Sequence, residues 1–96
     1  MTFSRLQSKR LSLKNKLRNR ELLFAGWVSF AHPSIAEIFA SAHFDFLCID
    51  MEHSTISIEQ AQRIISASQF EDVPCFPRPV SHSNDFIKPL LESGAD

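Results

Sequence analysis

Three ionisable side chains stand within four positions at Asp50, Glu52 and His53. A histidine beside carboxylates suits general-base work, because the neighbouring negative charge keeps the imidazole basic near neutral pH. Read instead as metal ligands, the three meet a geometric obstacle. Successive side chains of a strand point to opposite faces, so they do not converge on one ion without a bend. At most one of them is expected to touch a metal-bound water. Arg78 is the second candidate. It lies between Pro77 and Pro79, which stiffen the backbone. A guanidinium held there suits a two-bond grip on a carboxylate, or stabilisation of an oxyanion. The alternative is an ordinary surface arginine, although beyond residue 20 the only other basic side chains are Arg63 and Lys88. A base and an oxyanion stabiliser at a wet strand end suggest proton removal beside a carbonyl. His32 and His82 read as ordinary histidines. His43, in a helix-to-strand loop, belongs to the opposite face.

These groups need elements that bring them to one pole. The stretch from Phe44 to Asp50 is nearly all apolar and reads as a strand buried on both faces, ending near Met51. Leu22 to Phe30 reads as an earlier buried strand. Val73 to Phe76 reads as a third, kept short because Pro74 and Pro77 lack a ladder donor. Pro33 suits the start of a helix whose stripe is Ile35, Ile38, Phe39 and Ala42. Ser57 and Gln60 make a capping-box pair for a second helix, with Ile58, Ala61, Ile64 and Ile65 inward. Ser83 or Asp85 caps a third, with Phe86, Ile87, Leu90 and Leu91 inward. Pro89 removes a hydrogen bond from it unless it lies in the first turn, and Gly94 suits the C′ position.

Strand and helix alternate, which implies an α/β fold with a parallel sheet of right-handed βαβ units. Ligands of such folds bind at the C-terminal ends of the strands. That pole would receive His32, Asp50, Glu52, His53, Arg78 and His82. A TIM (β/α)8 barrel needs ~250 residues. The 96 residues here therefore read as an incomplete barrel, about its N-terminal third, with an unpaired strand edge and an uncovered apolar face.

Bulk composition narrows the class. A 44% hydrophobic share is that of a globular chain rather than a disordered one. No run approaches the ~18 apolar residues of a membrane span, so a soluble protein without a membrane partner is expected. Cys48 and Cys75 fall inside apolar runs and read as reduced core residues rather than a disulfide or a metal pair, which points to a reducing, cytoplasmic compartment. The net charge of −1 conceals an asymmetry: the first 20 residues carry seven basic side chains and no acid, and the remainder carries three against eleven acids. Residues 1–21 read as a basic lead-in helix whose Leu13 and Leu17, spaced i,i+4, dock on the body. A transit peptide or a nucleic-acid arm is the alternative. With only Phe3 as an interleaved aromatic, nucleic acid is not the expected partner. Residues 22–96 form the partial barrel domain.

The segments Trp27-Val28 to Pro33, Ala36-Glu37-Ile38, Phe44-Asp45-Phe46 and Ile49-Asp50-Met51-Glu52-His53 resemble the class II pyruvate aldolases. These are the HpcH/HpaI aldolase/citrate lyase type, which act on 4-hydroxy-2-oxoheptanedioate or 2-dehydro-3-deoxyglucarate. The likeness continues through Pro74 to Arg78, Ile87-Lys88, Leu90-Leu91 and Gly94-Ala95, and covers nearly all of residues 13–96. It implies a TIM barrel, a homo-oligomer when complete, and a divalent ion, Mg2+ or Mn2+, that chelates a 2-keto acid. On it, His53 is the proton-transfer residue, Arg78 binds substrate and stabilises the enolate, and Glu92 stands where a carboxylate partner of the histidine, usually Asp, is found. Asp50 and Glu52 match acids near the metal's water shell. The direct metal ligands come from later strands, so none is expected in this chain. Arg20, His43 and Ser54 occupy positions where Gly is frequent.

The expected function is a carbon-carbon lyase. It cleaves or forms 4-hydroxy-2-keto acids from a 2-keto acid and an aldehyde, through a pyruvate enolate. The 96-residue chain by itself is not expected to turn over. The alternative is a non-catalytic fragment or interaction module of the same fold.

Overall fold

The structure, a computed structural model, describes residues 4–96. The first three residues of the basic segment, Phe3 among them, lie outside it. Ser4 caps α1 (Arg5–Arg18) through a reciprocal pair with Gln7, and Ser57 and Gln60 do the same for α3 (Ile58–Phe70). Each pair satisfies two backbone donors that a helix start leaves open. Between and after these helices run β1 (Ala25–Val28), α2 (Ser34–Ser41), β2 (Phe46–Asp50), β3 (Cys75–Arg78) and α4 (Asn84–Glu92). The strands form one parallel sheet in the order β1-β2-β3.

Period-two alternation gives this sheet two unlike faces. Gly26, Val28, Leu47, Ile49 and Cys75 face the helices and are buried, together with Ala36, Ala61, Ile64, Ile65 and Leu90. The other face carries Trp27, Phe46, Cys48 and Phe76; among the described residues only α1 approaches it, Leu13 and Leu17 lining a hollow with Phe76 at its edge. There Phe46 and Phe76 meet edge to face with centroids 5.4 Å apart. Both cysteines are free. Burial raises the Cys48 thiol. Burial, then the nearby Asp96 and Cys48, pushes Cys75 up to about 12.

Several elements differ from the sequence reading. β1 keeps only four residues of the Leu22–Phe30 run and is buried on one face alone, with Trp27 50% exposed. The apolar run is longer than the strand because Leu22, Phe24 and Phe30 lie exposed beyond its ends. β3 begins two residues later than expected and includes Pro77. The ladder explains its tolerance. Leu47 N–H donates to the Pro74 carbonyl and Met51 N–H to the Arg78 carbonyl, whereas Cys75 exchanges bonds with Asp96 on the other side. Pro77 shares the parity of Cys75, so its missing N–H faces away from β2. In α2 Ile38 points outward, and in α4 Leu91 does; Ala36 and Leu90 are the buried residues. Pro89 lies past the first turn of α4, which leaves the carbonyl of exposed Asp85 without its helical donor.

α1 docks through Leu13, 5% exposed, while Leu17 is 57% exposed. Ion pairs from Arg10 to Asp96 and from Lys16 to Asp45 (3.2 Å) fasten it to the body. Asp45 also accepts from the Phe24 N–H at 2.9 Å. That bond, with the Lys16 ammonium, holds its carboxyl below the usual range.

Arg20 and His43 have φ of 57° and 62°, the left-handed region that favours glycine. The side chain costs ~1–2 kcal/mol there, against the ~0.5–1 kcal/mol that glycine loses in unfolded-state entropy. Arg20→Gly and His43→Gly are each expected to raise unfolding free energy by about 0.5–1 kcal/mol, read from urea midpoints.

Candidate active site

Asp50 closes β2 on the open face of the sheet, and its carboxylate organises the loop that leaves the strand. Oδ1 accepts from the N–H groups of Glu52 (3.1 Å) and His53 (3.0 Å). Such a carboxylate-to-amide turn fixes a loop without glycine. Ser54 Oγ donates to the Asp50 carbonyl and accepts from Ile56 N–H at 3.2 Å. Ser54 thus ties the loop to β2.

Arg78 closes β3 in register with Asp50. Its Nε donates to Asp50 Oδ1 at 3.2 Å, and Nη2 lies 2.8 Å from Oδ2. Glu52 is the outer neighbour, with Oε2 3.6 Å from Arg78 Nε and Oε1 3.5 Å from His53 Nε2. The His53 amide, then the guanidinium and the Glu52 amide, hold the Asp50 carboxyl below its usual range against burial, which acts the other way. The His53 side chain is 70% exposed. One pole therefore gathers an accessible imidazole, a carboxylate beside it and a fixed guanidinium. That set can take a proton from a bound molecule and steady the negative charge that results.

Other sequence candidates stand elsewhere. Glu92 is the last residue of α4, a helix that returns antiparallel to the strands. The chain turns through Ser93 and Gly94, and Asp96 N–H then bonds to the Cys75 carbonyl at the start of β3. Glu92 is thus at the opposite pole from His53, and the structure does not bring the two together within this chain. His32 accepts from Ser34 N–H at 3.1 Å through Nδ1 and serves the start of α2. His82 lies exposed in the loop before α4, and His43 is at the far pole. Sequence reading missed Trp27 as a site residue. The Arg78 Cζ lies 5.1 Å from its ring centroid. The signal was the alternation along β1, which places Trp27 on the same face as Asp50 and Arg78.

The residues do not make a cation site. Both Asp50 oxygens are taken up by Arg78 and backbone amides, and Glu52 lies between two basic groups. Among the described residues no three His, Cys, Asp or Glu side chains form a metal-holding set.

Asp50 also makes stability depend on pH. Its folded-state pKa lies below the unfolded value of ~3.9, so its contribution to stability is present above that value and is lost as pH falls through the folded pKa. Asp45 adds a loss of the same sign. Urea midpoints should therefore fall as pH drops below about 5, and Asp50→Asn should flatten the decline in part. An unchanged slope in Asp50→Asn would contradict the pairing.

No protein-family model matches the chain. It is 34% identical over 86 residues to the hydroxypyruvate/pyruvate aldolase of Paraburkholderia phytofirmans, covering 86% of this chain and 33% of that one. It is 34% identical over 83 residues to the 2-keto-3-deoxy-L-rhamnonate aldolase of Escherichia coli K12, covering 85% and 31%. The chain spans about a third of the length of the curated relatives it matches. Among solved structures, an HpcH/HpaI aldolase/citrate lyase family protein from Burkholderia cenocepacia aligns with TM-score 0.76 at 34% identity, over 88% of this chain and 34% of that one. The citrate synthase SbnG aligns with TM-score 0.78 at 28% identity, over 86% and 34%. The fold is that of about a third of a TIM barrel of this type.

Proposed function

We propose that this chain, which resembles HpcH/HpaI-type aldolases in sequence and fold, supplies the proton-transfer part of a carbon-carbon lyase acting on 4-hydroxy-2-keto acids. The single observation that carries the reading is the strand-end cluster of His53, Glu52, Asp50 and Arg78. In it Arg78 binds the 2-keto acid and steadies the enolate oxygen. His53 takes the methyl proton of pyruvate, and in the reverse sense returns it. Asp50 holds the loop on which His53 stands. The divalent ion that the resemblance implies finds no ligand set among the described residues. An aldehyde is the second reactant, and a homo-oligomer is the working state.

The test is a chimera. Residues 13–96 replace the matching third of the Paraburkholderia relative, and pyruvate methyl-proton exchange into D2O is followed with Mn2+ present. Metal-dependent exchange is the expected result; a folded chimera that exchanges nothing rejects the reading. The open apolar face of Trp27, Phe46 and Phe76 favours a second reading, a non-catalytic interaction module. It predicts that folded but inert chimera.

A further inference from the structure

Three adjacent strands each send one residue to the open face near their C-terminal ends: Trp27 from β1, Asp50 from β2 and Arg78 from β3. Trp27 is in register with Cys48, and Arg78 with Asp50. The Arg78 side chain therefore leans back across the central strand to reach the indole. Asp50 engages the guanidinium through Nε and Nη2. The ring lies 5.1 Å from Cζ, within the ~6 Å range of a cation–π contact.

These two contacts restrain different motions. The carboxylate fixes rotation within the guanidinium plane, because it engages two nitrogens of a planar fork. It leaves the plane free to tip about the Asp50–Arg78 axis. The indole restrains that tipping by giving the guanidinium a favoured seat over the ring. Among the described residues, Nη1 has no hydrogen-bond or ion-pair partner. The half-exposed indole leaves this pole accessible to solutes.

We propose that Trp27 is a positioning residue: its indole holds the Arg78 guanidinium, already gripped by Asp50, so that the free Nη1 edge is a preformed receptor for the carboxylate or enolate oxygen of a 2-keto acid. The ligand class rests on the function proposed above; the clamp does not. The benefit is preorganisation, since an arginine already ordered loses less side-chain freedom when its ligand arrives. Asp50 alone cannot supply this, because a pairing about one axis leaves the free edge swinging. Trp27 touches no reacting atom in this scheme.

The experiment uses nuclear magnetic resonance on the 96-residue chain, with pyruvate as the probe. In the wild type, Arg78 side-chain protons should move upfield from their free positions, because they lie over an aromatic ring. Trp27→Ala should return them, and Trp27→Phe should keep part of the shift. Pyruvate affinity should fall roughly 3- to 10-fold in Trp27→Ala, the loss of one cation–π contact, and recover in Trp27→Phe. In an Arg78→Ala background, Trp27→Ala should change it no further. Unshifted Arg78 protons in the wild type overturn the clamp. No pyruvate binding by the wild type overturns the receptor, as does equal affinity in wild type and Trp27→Ala. A clamp that binds pyruvate while the chimera exchanges no protons rejects the aldolase reading and leaves this one standing. Trp27 is the sole tryptophan, so the loss of indole signals verifies each Trp27 variant.

Discussion

His53→Ala in the chimera is expected to lower pyruvate methyl-proton exchange by about two to four orders of magnitude, the usual worth of a positioned general base. The argument rests on position and accessibility. Its imidazole is 70% exposed at the strand-end pole, with the Glu52 carboxylate 3.5 Å from Nε2. Its backbone is fixed by a bond to Asp50, so the variant loses the ring without losing the loop. The alanine variant should therefore keep its unfolding midpoint while exchange collapses. His53→Gln would keep a polar group and still lack a base near neutral pH, and should be as inactive. Arg78→Lys should lower exchange by a different route, since an ammonium cannot reproduce the two-nitrogen grip of the fork on Asp50. The two variants differ in their pH profiles. Loss of the base removes the ascending limb, whereas loss of the guanidinium lowers the plateau and keeps that limb. Exchange in His53→Ala equal to the parent chimera would reject His53 as the base.

The expected partnership of His53 with Glu92 bears on the same experiment. Within one chain the two are at opposite poles of the sheet, so Glu92→Gln should leave exchange unaltered if the site is built from one chain. The sequence placed Glu92 beside His53 only by resemblance, and resemblance carries residue identity without carrying which pole a helix end reaches. Chain direction decides that: a helix that follows a parallel strand must return before the next strand begins.

Much of the scaffold was legible because its signals are local. The Ser57–Gln60 pair, the Gly94 turn at φ 98° and the alternation of apolar strands with striped helices all appear in the structure. What was not legible depended on neighbours. Leu22, Phe24 and Phe30 look like strand core in one dimension, yet β1 is an edge strand with one face uncovered. Pro77 looks like a strand end, yet its missing donor falls on the side away from β2. Asp50 reads as a supporting acid near a metal's water shell, and the structure commits both its oxygens to Arg78 and the loop. Trp27 was missed as a site residue because alternation along β1 sets its face alone, whereas its role depends on a register across three strands. Positive φ at Arg20 and His43 agrees with the family resemblance, on which glycine is frequent at both positions.

Gly26→Val is expected to abolish stable folding. Gly26 lies on the helix-facing side of β1, and a Cβ there would come 2.7 Å from Phe39 Cγ and 2.8 Å from Leu47 Cδ2. Both distances are shorter than any real methyl contact, so something must move. Leu47 cannot, because it is wholly buried in the central strand. Phe39 is wedged edge to face against Phe44 at 5.1 Å, so its ring yields only by giving up that pair. Overpacking of one carbon in such a place costs ~1–3 kcal/mol, which is the expectation for Gly26→Ala. Valine adds two further methyls to a small domain whose total stability is of order 5–14 kcal/mol. Phe39→Leu should rescue part of the loss in Gly26→Ala, because the clash and the relief are shared by touching side chains and so do not add. The measurement is a double-mutant cycle of urea midpoints. A cycle in which the two substitutions simply sum would show that the Gly26 backbone does not sit against Phe39, and would place α2 differently on the sheet.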